Sequence, residues 1–177
     1  MNRTEYTIPV KLDARTFRRF SRFDILNLRM RWSRPAVFGL ILVAFAAAAL
    51  ASGKPQSGLI GGVLLAVGLG LPAVYFGTFF HQVDVQVKRF GLDTPKPVYT
   101  VTLNADGIRV NNDQREEDVL ELPWKDLRAA FRVKGCIYLY VNASRAFLLP
   151  DGQGNVEPDA LWEYLKKHMG ERCKDKR

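Results

Sequence analysis

The sequence predicts a membrane protein of the α+β class, in which a two-helix transmembrane hairpin precedes a small β-sheet domain with a C-terminal capping helix. Two apolar runs, 35–52 and 57–80, are separated by a short polar turn, and this pattern predicts the hairpin. Short segments with alternating apolar side chains follow residue 98 and predict the sheet. An apolar stripe after Pro158 predicts the final helix.

A basic segment, residues 1–34, precedes the hairpin. It contains nine Lys or Arg and three Asp or Glu residues, so it carries a net charge of +6 out of +8 for the chain. Apolar and polar side chains alternate over 6–10, which predicts one strand, and Pro9 restricts that strand to a sheet edge. Asp13 is a predicted N-cap for a helix that starts at Ala14.

The helix after Ala14 is rich in arginine and phenylalanine, and two interpretations of it are open. The helix can pack on the C-terminal domain, with its arginines in water. It can also lie in the membrane interface, with its aromatic side chains in lipid and its arginines at the headgroups. On this second interpretation, seven arginines are candidates for contacts with anionic lipid, namely Arg15, Arg18, Arg19, Arg22, Arg29, Arg31 and Arg34.

The two apolar runs are long enough to cross a membrane as helices. At about 1.5 Å per residue they span about 27 Å and about 36 Å, against a hydrocarbon core of about 30 Å. Lys54, in the turn, is the sole charged residue between Arg34 and His81. The alternative is a buried helix pair of a soluble protein, but such helices usually carry some polar positions. Since neither run contains Asp, Glu, Arg or His, an ion or proton path is not expected.

The basic residues also predict an orientation. Arginines crowd the start of the first run, and Lys88, Arg89 and Lys96 follow the second, whereas the turn has Lys54 alone. Basic residues beside membrane helices are enriched on the cytoplasmic side. We therefore expect a two-pass protein with both termini in the cytoplasm and residues 53–56 outside.

Small residues recur in both runs at every fourth position. In the second run these are Gly58, Gly62, Ala66 and Gly70. Small side chains let helix backbones approach each other in lipid, where van der Waals packing drives association. The simplest use is packing of the two helices within the hairpin, and the alternative is a dimer formed through the Gly58–Gly62 face.

The chain after the hairpin has the pattern of a compact α+β domain. Residues 81–97 are a connector, in which the second helix is expected to continue to about Arg89. Residues 98–170 are predicted to form roughly five to seven short strands and a helix that starts at Pro158. Residues 171–177 are expected to be a frayed tail.

Five short motifs mark this C-terminal domain. They are Tyr99 in the first strand, Asp106-Gly-Ile108, Leu122-Pro-Trp-Lys-Asp-Leu127, Ile137-Tyr-Leu-Tyr140 and Phe147-Leu-Leu-Pro150. With the two apolar runs, they resemble the YcxB-like family of small bacterial membrane proteins. The resemblance implies a bacterial inner (cell) membrane location and a C-terminal domain like a pleckstrin-homology (PH) domain, with no defined biochemical role. One departure is Asp151-Gly-Gln-Gly154, where the family typically has a basic or aromatic stretch.

The sequence contains no pattern that indicates catalysis, a cofactor or a metal. His81 and His168 belong to no metal-binding motif, and His168 is expected at the surface near a helix end. Trp124 is expected in the core, and Cys136 and Cys173 as free thiols. The residues after the hairpin carry a net charge of only +1, from sixteen basic and fifteen acidic residues, so nucleic acid is not an expected partner.

We therefore expect a membrane-anchored cytoplasmic interaction module without enzymatic activity, which binds membrane lipids, a protein partner or its own copy. One alternative is a structural or assembly protein that acts through helix pairing. The other is an enzyme of unknown type, for which no nucleophile and base can be named.

Overall fold

The computed structural model describes residues 5–29, 32–113 and 115–177, with the side chains of all of them except 28, 29 and 115–118. The chain divides into two compact units. One is helical and comprises Ser21–Phe90, and the other comprises the chain up to Phe20 together with Gly91–Arg177. Two long apolar helices thus precede a β-sheet region that is followed by a helix, in agreement with the predicted α+β class.

The helical elements before the sheets lie close to their predicted positions. Helix α1 spans Ala14–Phe23 and continues into a π-helical segment, Asp24–Arg29. Helix α2 spans Ser33–Ala51, and helix α3 spans Ser57–Phe90. Both α2 and α3 are long and apolar enough to cross a membrane, with mean hydropathies of 2.0 and 2.1. Only 11% of their most apolar stretches is buried, whereas the core helices of soluble proteins are mostly buried.

The two helices of the hairpin pack through small residues that are seven positions apart. Gly39 and Ala46 of α2 and Gly61 and Gly68 of α3 are buried. An added Cβ at Gly68 would lie 3.0 Å from the carbonyl oxygen of Gly39, so the backbones are in close contact there. An added Cβ at Gly61 would lie 2.6 Å from Cγ of Leu50. A seven-residue repeat keeps one face of each helix towards its neighbour over several turns.

The predicted row of small residues does not take part in this packing. An added Cβ at Gly58, Gly62 or Gly70 would meet no atom within 4 Å, and Ala66 is exposed. The prediction that this row packs the hairpin is therefore wrong. A four-residue spacing identifies a smooth helix face but does not say which neighbour covers it, and the buried glycines of α3 lie on a different face.

The second unit contains two four-stranded sheets. The first has the order β1-β2-β3-β4 and is antiparallel, with β1 Tyr6–Leu12, β2 Lys96–Leu103, β3 Gly107–Asn112 and β4 Arg115–Pro123. The second has the order β7-β6-β5-β8, with β5 Ala129–Val133, β6 Cys136–Tyr140, β7 Ala146–Pro150 and β8 Cys173–Asp175. Its strands are antiparallel except that β8 is parallel to β5. Helix α4, Pro158–Met169, follows β7 in the chain.

Strand β1 comes from the N-terminal segment and lies at a sheet edge, as Pro9 predicts. Its side chains alternate, so that Ile8 and Val10 are buried. The described residues up to Phe20 therefore belong with the C-terminal sheets, whereas residues 1–34 are expected above to form one separate segment. In chain order, the hairpin is an insertion between the first two strands.

The core of the sheet unit is formed by apolar side chains from both sheets and from α4. Leu139, Leu149 and Leu165 are at most 1% exposed. The predicted apolar stripe of α4 is buried, including Leu161 and Met169. This core fixes the strand ends and loops that carry the polar groups described below.

The C-terminal residues form a strand, so the prediction of a frayed tail is wrong. β8 pairs with β5, and the backbone N–H of Lys176 donates to the carbonyl of Arg132 at 2.8 Å. Before the strand, the guanidinium of Arg172 donates to the carbonyls of Trp124 and Leu127, at 3.1 and 2.6 Å. The charged sequence of the tail did not indicate these long-range bonds. They supply hydrogen-bond partners for the polar groups of the tail.

Candidate functional site

Helix α1 carries most of the predicted arginines, and its N-terminus is fixed by two interactions. The carboxylate of Asp13 accepts a hydrogen bond from the backbone N–H of Thr16 at 2.8 Å, which confirms the predicted N-cap. Hydrogen bonds from Thr16 also lower the pKa of Asp13. The backbone N–H of Ala14 donates to the carbonyl of Leu92 at 2.8 Å, so α1 starts beside the segment that leads into β2.

Phe20 packs α1 onto β6. Its ring centre lies 5.2 Å from that of Tyr138, at an interplanar angle of 75°, and 6.1 Å from that of Tyr140. Burial raises the pKa of Tyr138 to about 12, so this phenol is uncharged at neutral pH. The interpretation in which α1 packs on the C-terminal domain is thus confirmed at Phe20. The interpretation in which its aromatic side chains face lipid is wrong at that position.

The arginines of α1 are exposed and share one side of the helix. They are Arg15, Arg18, Arg19 and Arg22. Their i, i+3, i+4, i+7 spacing places them on one face, and we call this the arginine face of α1. Arg22 belongs to the helical unit, as Phe80 does, and its guanidinium carbon lies 5.5 Å from the ring centre of Phe80.

The other three predicted arginines follow α1 in the chain. Arg34, near the start of α2, is exposed. Arg29 ends the π-helical segment, but its side chain is outside the described set, and Arg31 lies outside the described residues altogether. The structure therefore shows an exposed row of arginines on α1. Of the three arginines after α1, it describes the side chain of Arg34 alone, which is exposed.

An exposed row of guanidinium groups gives α1 a positive outer surface. Each guanidinium presents a planar fork of N–H donors that matches phosphate and carboxylate oxygens. Such a row attracts anionic lipid headgroups, and salt screens this attraction beyond about 10 Å at about 0.1 M. The chemistry available to this face is reversible binding of anions.

A cluster of aromatic side chains joins α4 to the first sheet. Trp124 is buried, as predicted, and its indole N–H donates to the carbonyl of Asn104 at 3.1 Å. The imidazole of His168 stacks on Trp124 with ring centres 4.7 Å apart, and Nδ1 lies 2.9 Å from the carbonyl oxygen of Tyr164. His168 is half-buried in this cluster, whereas the sequence analysis above expects it at the surface. The i, i+4 spacing of Tyr164 and His168 was the available signal.

A cleft of about 380 Å³ opens at one end of the first sheet, next to the start of β7. Side chains of β2, β3, β4 and β7 line it, together with Arg145 before β7. No sequence pattern indicated this cleft. Its residues are far apart in the chain and come from both sheets, so the pairing of β2, β3 and β4 and their position next to β7 bring them together.

Both cysteines are free thiols, as predicted. Burial raises the pKa of Cys136 to about 12 and also raises that of the half-buried Cys173, so neither forms a reactive thiolate at neutral pH. Within residues 5–29, 32–113 and 115–177, no group of three or more His, Cys, Asp or Glu side chains is arranged to hold a metal ion.

By its fold the chain is an α+β protein in which two apolar helices interrupt a unit of two sheets. Comparisons with protein-family models, with curated proteins and with solved structures find no match for it. The resemblance to the YcxB-like family therefore stays a prediction.

Proposed function

We propose that this chain is a membrane-anchored interaction module. Helices α2 and α3 hold it in the membrane as a two-pass anchor, and the arginine face of α1 binds anionic lipid headgroups. One observation carries this proposal. Helix α1 packs Phe20 on β6 and leaves Arg15, Arg18, Arg19 and Arg22 exposed in one row. The proposed activity is binding, without a catalytic step.

The proposed location is the bacterial inner membrane, with both termini in the cytoplasm. The charge distribution supports this orientation, because residues 1–34 carry a net charge of +6 whereas the turn of the hairpin carries Lys54 alone. The same arrangement would bring the arginine face of α1 to the membrane leaflet that is rich in anionic lipid.

We also propose that the sheet unit is a PH-like domain of the YcxB-like type. Support comes from its two four-stranded sheets and the single helix α4 that follows β7. In such a domain the hairpin would be an insertion after the first strand, so the anchor and the binding unit would be parts of one fold.

The test compares the full-length chain in nanodiscs of phosphatidylcholine with the chain in discs that also contain phosphatidylglycerol. Hydrogen–deuterium exchange of the α1 amides is the measurement. We expect slower exchange of α1 in the anionic discs, because headgroup contacts stabilise the helix. High salt should abolish the difference, since it screens exposed charges.

A charge-matched pair of variants makes the test specific. The first variant combines Arg15→Gln, Arg18→Gln, Arg19→Gln and Arg22→Gln, and it should lose the difference between the two kinds of disc. The control combines Lys125→Gln, Arg128→Gln, Lys134→Gln and Lys167→Gln, which removes the same charge at exposed positions outside α1. The proposal would be contradicted if the unmodified chain exchanged equally in both kinds of disc. It would also be contradicted if the control variant lost the difference between the discs as fully as the first variant.

A second candidate function is assembly through α3, either with another copy of the chain or with a protein partner. One observation favours it. Gly58, Gly62 and Ala66 are exposed and are not used by the packing of the hairpin, so this smooth face of α3 is open to another helix.

A further inference from the structure

The cleft at one end of the first sheet is lined mostly by apolar side chains, and polar atoms make up nearly half of its exposed wall. Val110 of β3, Leu120 of β4 and Phe147 of β7 line it, together with Val98 and Val119. Val110 and Phe147 are buried, whereas Val119 is 50% exposed. An apolar chain bound in this cleft would therefore remove further apolar surface from water.

The ring of Tyr99 adds to the apolar wall because its hydroxyl is already paired. The hydroxyl donates to the carbonyl of Leu148 at 3.1 Å and accepts from the N–H of Leu148 at 2.8 Å. The ring centre lies 5.4 Å from that of Phe147, in an edge-to-face arrangement. Tyr99 thus offers the cleft an aromatic surface without a charge or a free donor.

Arg145 contributes the charge of the cleft. Its guanidinium carbon lies 5.4 Å from the ring centre of Phe147, and it forms no ion pair with any carboxylate in the described part of the chain. Asn112 also lines the cleft. The nearby carboxylate of Asp113 accepts a hydrogen bond from the hydroxyl of Thr100, at 3.1 Å, on the outer face of the sheet.

We propose that this cleft binds a fatty acid. The carboxylate would pair with the guanidinium of Arg145, and the acyl chain would lie along Val110, Leu120 and Phe147. A single described cation matches a ligand with one negative charge, and a guanidinium fork matches a carboxylate. A volume of about 380 Å³ lies within the range of about 300–1,000 Å³ that small-molecule sites occupy. This proposal does not depend on the arginine face of α1.

The test uses photo-cross-linking of the full-length chain in nanodiscs of neutral phospholipid. The probe is palmitic acid that carries a diazirine in its chain, and mass spectrometry maps the labelled peptides. We expect label on peptides of β3, β4 or β7, and competition by palmitic acid but not by its methyl ester. Label on α2 and α3 alone would overturn the proposal, and so would equal competition by acid and ester. Competition by a lysophospholipid but not by palmitic acid would assign the cleft to a different ligand.

Variants of the cleft give a second readout from the same experiment. Arg145→Gln should lower cleft labelling at least fivefold, Arg145→Lys should restore part of it, and both should leave the labelling of α2 and α3 unchanged. Arg128→Gln removes an exposed arginine that does not line the cleft and should have no effect. Thermal unfolding of each variant checks that it is folded. Unchanged labelling in a folded Arg145→Gln variant would overturn the proposal.

Discussion

The hairpin and the sheet unit bury opposite kinds of side chain. In the apolar stretches 35–52 and 57–80 of the hairpin, Leu40 and Leu59 are 70% and 74% exposed, and the buried positions are glycine and alanine. In the sheet unit, Leu139 and Leu165 are fully buried. Water drives large apolar side chains inward, whereas lipid is as apolar as leucine and leaves close backbone packing to hold helices together. This contrast is the one that the proposed membrane anchor requires, with the hairpin in lipid and the sheet unit in water.

The largest expected effect comes from making the same substitution in both units. Leu165→Ala should lower the free energy of unfolding of the sheet unit by about 2–5 kcal/mol, because it leaves a cavity in the core. Leu59→Ala should change stability by less than about 0.5 kcal/mol, because this side chain contributes to no core. Denaturant unfolding of the full chain in detergent micelles, followed by tryptophan fluorescence, measures both. Equal losses would break the contrast between the units.

Glycine variants sharpen the contrast inside the hairpin. Gly68→Leu places a side chain against Gly39 and Leu42, so we expect it to weaken the helix pair by about 1–3 kcal/mol. Gly62→Leu meets no atom of the chain within 4 Å at Cβ and should leave the pair intact. Hydrogen exchange of the α2 and α3 amides in nanodiscs should increase for the first variant only. An increase of the same size for both would show that the packing face is wrong.

The open face of α3 is tested by the oligomer mass in mild detergent. If copies of the chain pair through this face, Gly58→Leu combined with Gly62→Leu should lower the mass. Gly77→Leu, at another open glycine of α3, serves as the control and should not. If the double variant has the same oligomer mass as the unmodified chain, copies of the chain do not pair through this face.

A smaller effect is expected from one ion pair at the surface of the sheet unit. The guanidinium of the buried Arg132 pairs with the exposed carboxylate of Asp159, and this hydrogen bond lowers the pKa of Asp159. A folded-state pKa below the unfolded value means that the pair stabilises the fold above the ordinary Asp pKa of about 3.9. That contribution is lost as pH falls through the lowered folded-state pKa.

The pH dependence of the melting temperature measures this contribution. Between about pH 5 and about pH 2, the melting temperature should fall more for the unmodified chain than for Asp159→Asn, and the two should converge at the acid end. Glu163→Gln removes another exposed carboxylate of α4 and should keep the full pH dependence. Identical profiles for the unmodified chain and Asp159→Asn would mean that the pair contributes nothing.

Local patterns in the sequence predicted the elements that depend on local physics. Hydropathy predicted α2 and α3. Two-residue alternation predicted β1, and Pro9 predicted its place at a sheet edge. The stripe from Leu161 to Met169 predicted the buried face of α4. In each case the side-chain period is a property of a single element, so the sequence displays it directly.

The features that the sequence did not predict depend on partners far away in the chain. Strand β8 forms because β5 offers a free edge and Arg172 finds the carbonyls after Trp124. The hairpin uses Gly61 and Gly68 because α2 lies on that side of α3, which spacing within α3 does not reveal. The cleft with Arg145 exists because three strands of the first sheet lie next to β7 of the second sheet. Periodicity carries no information on such pairings.

The most direct test of the account asks on which side of the membrane each part of the chain lies. Lys54→Cys in the turn of the hairpin and Ser144→Cys in the exposed turn before β7 are each made in a Cys173→Ser chain, which leaves only the buried Cys136. Intact cells are treated with a membrane-impermeant maleimide. We expect label at position 54 in intact cells, and at position 144 only after permeabilisation. Label at position 144 in intact cells, or label at neither position until lysis, would contradict a two-pass anchor with a cytoplasmic sheet unit.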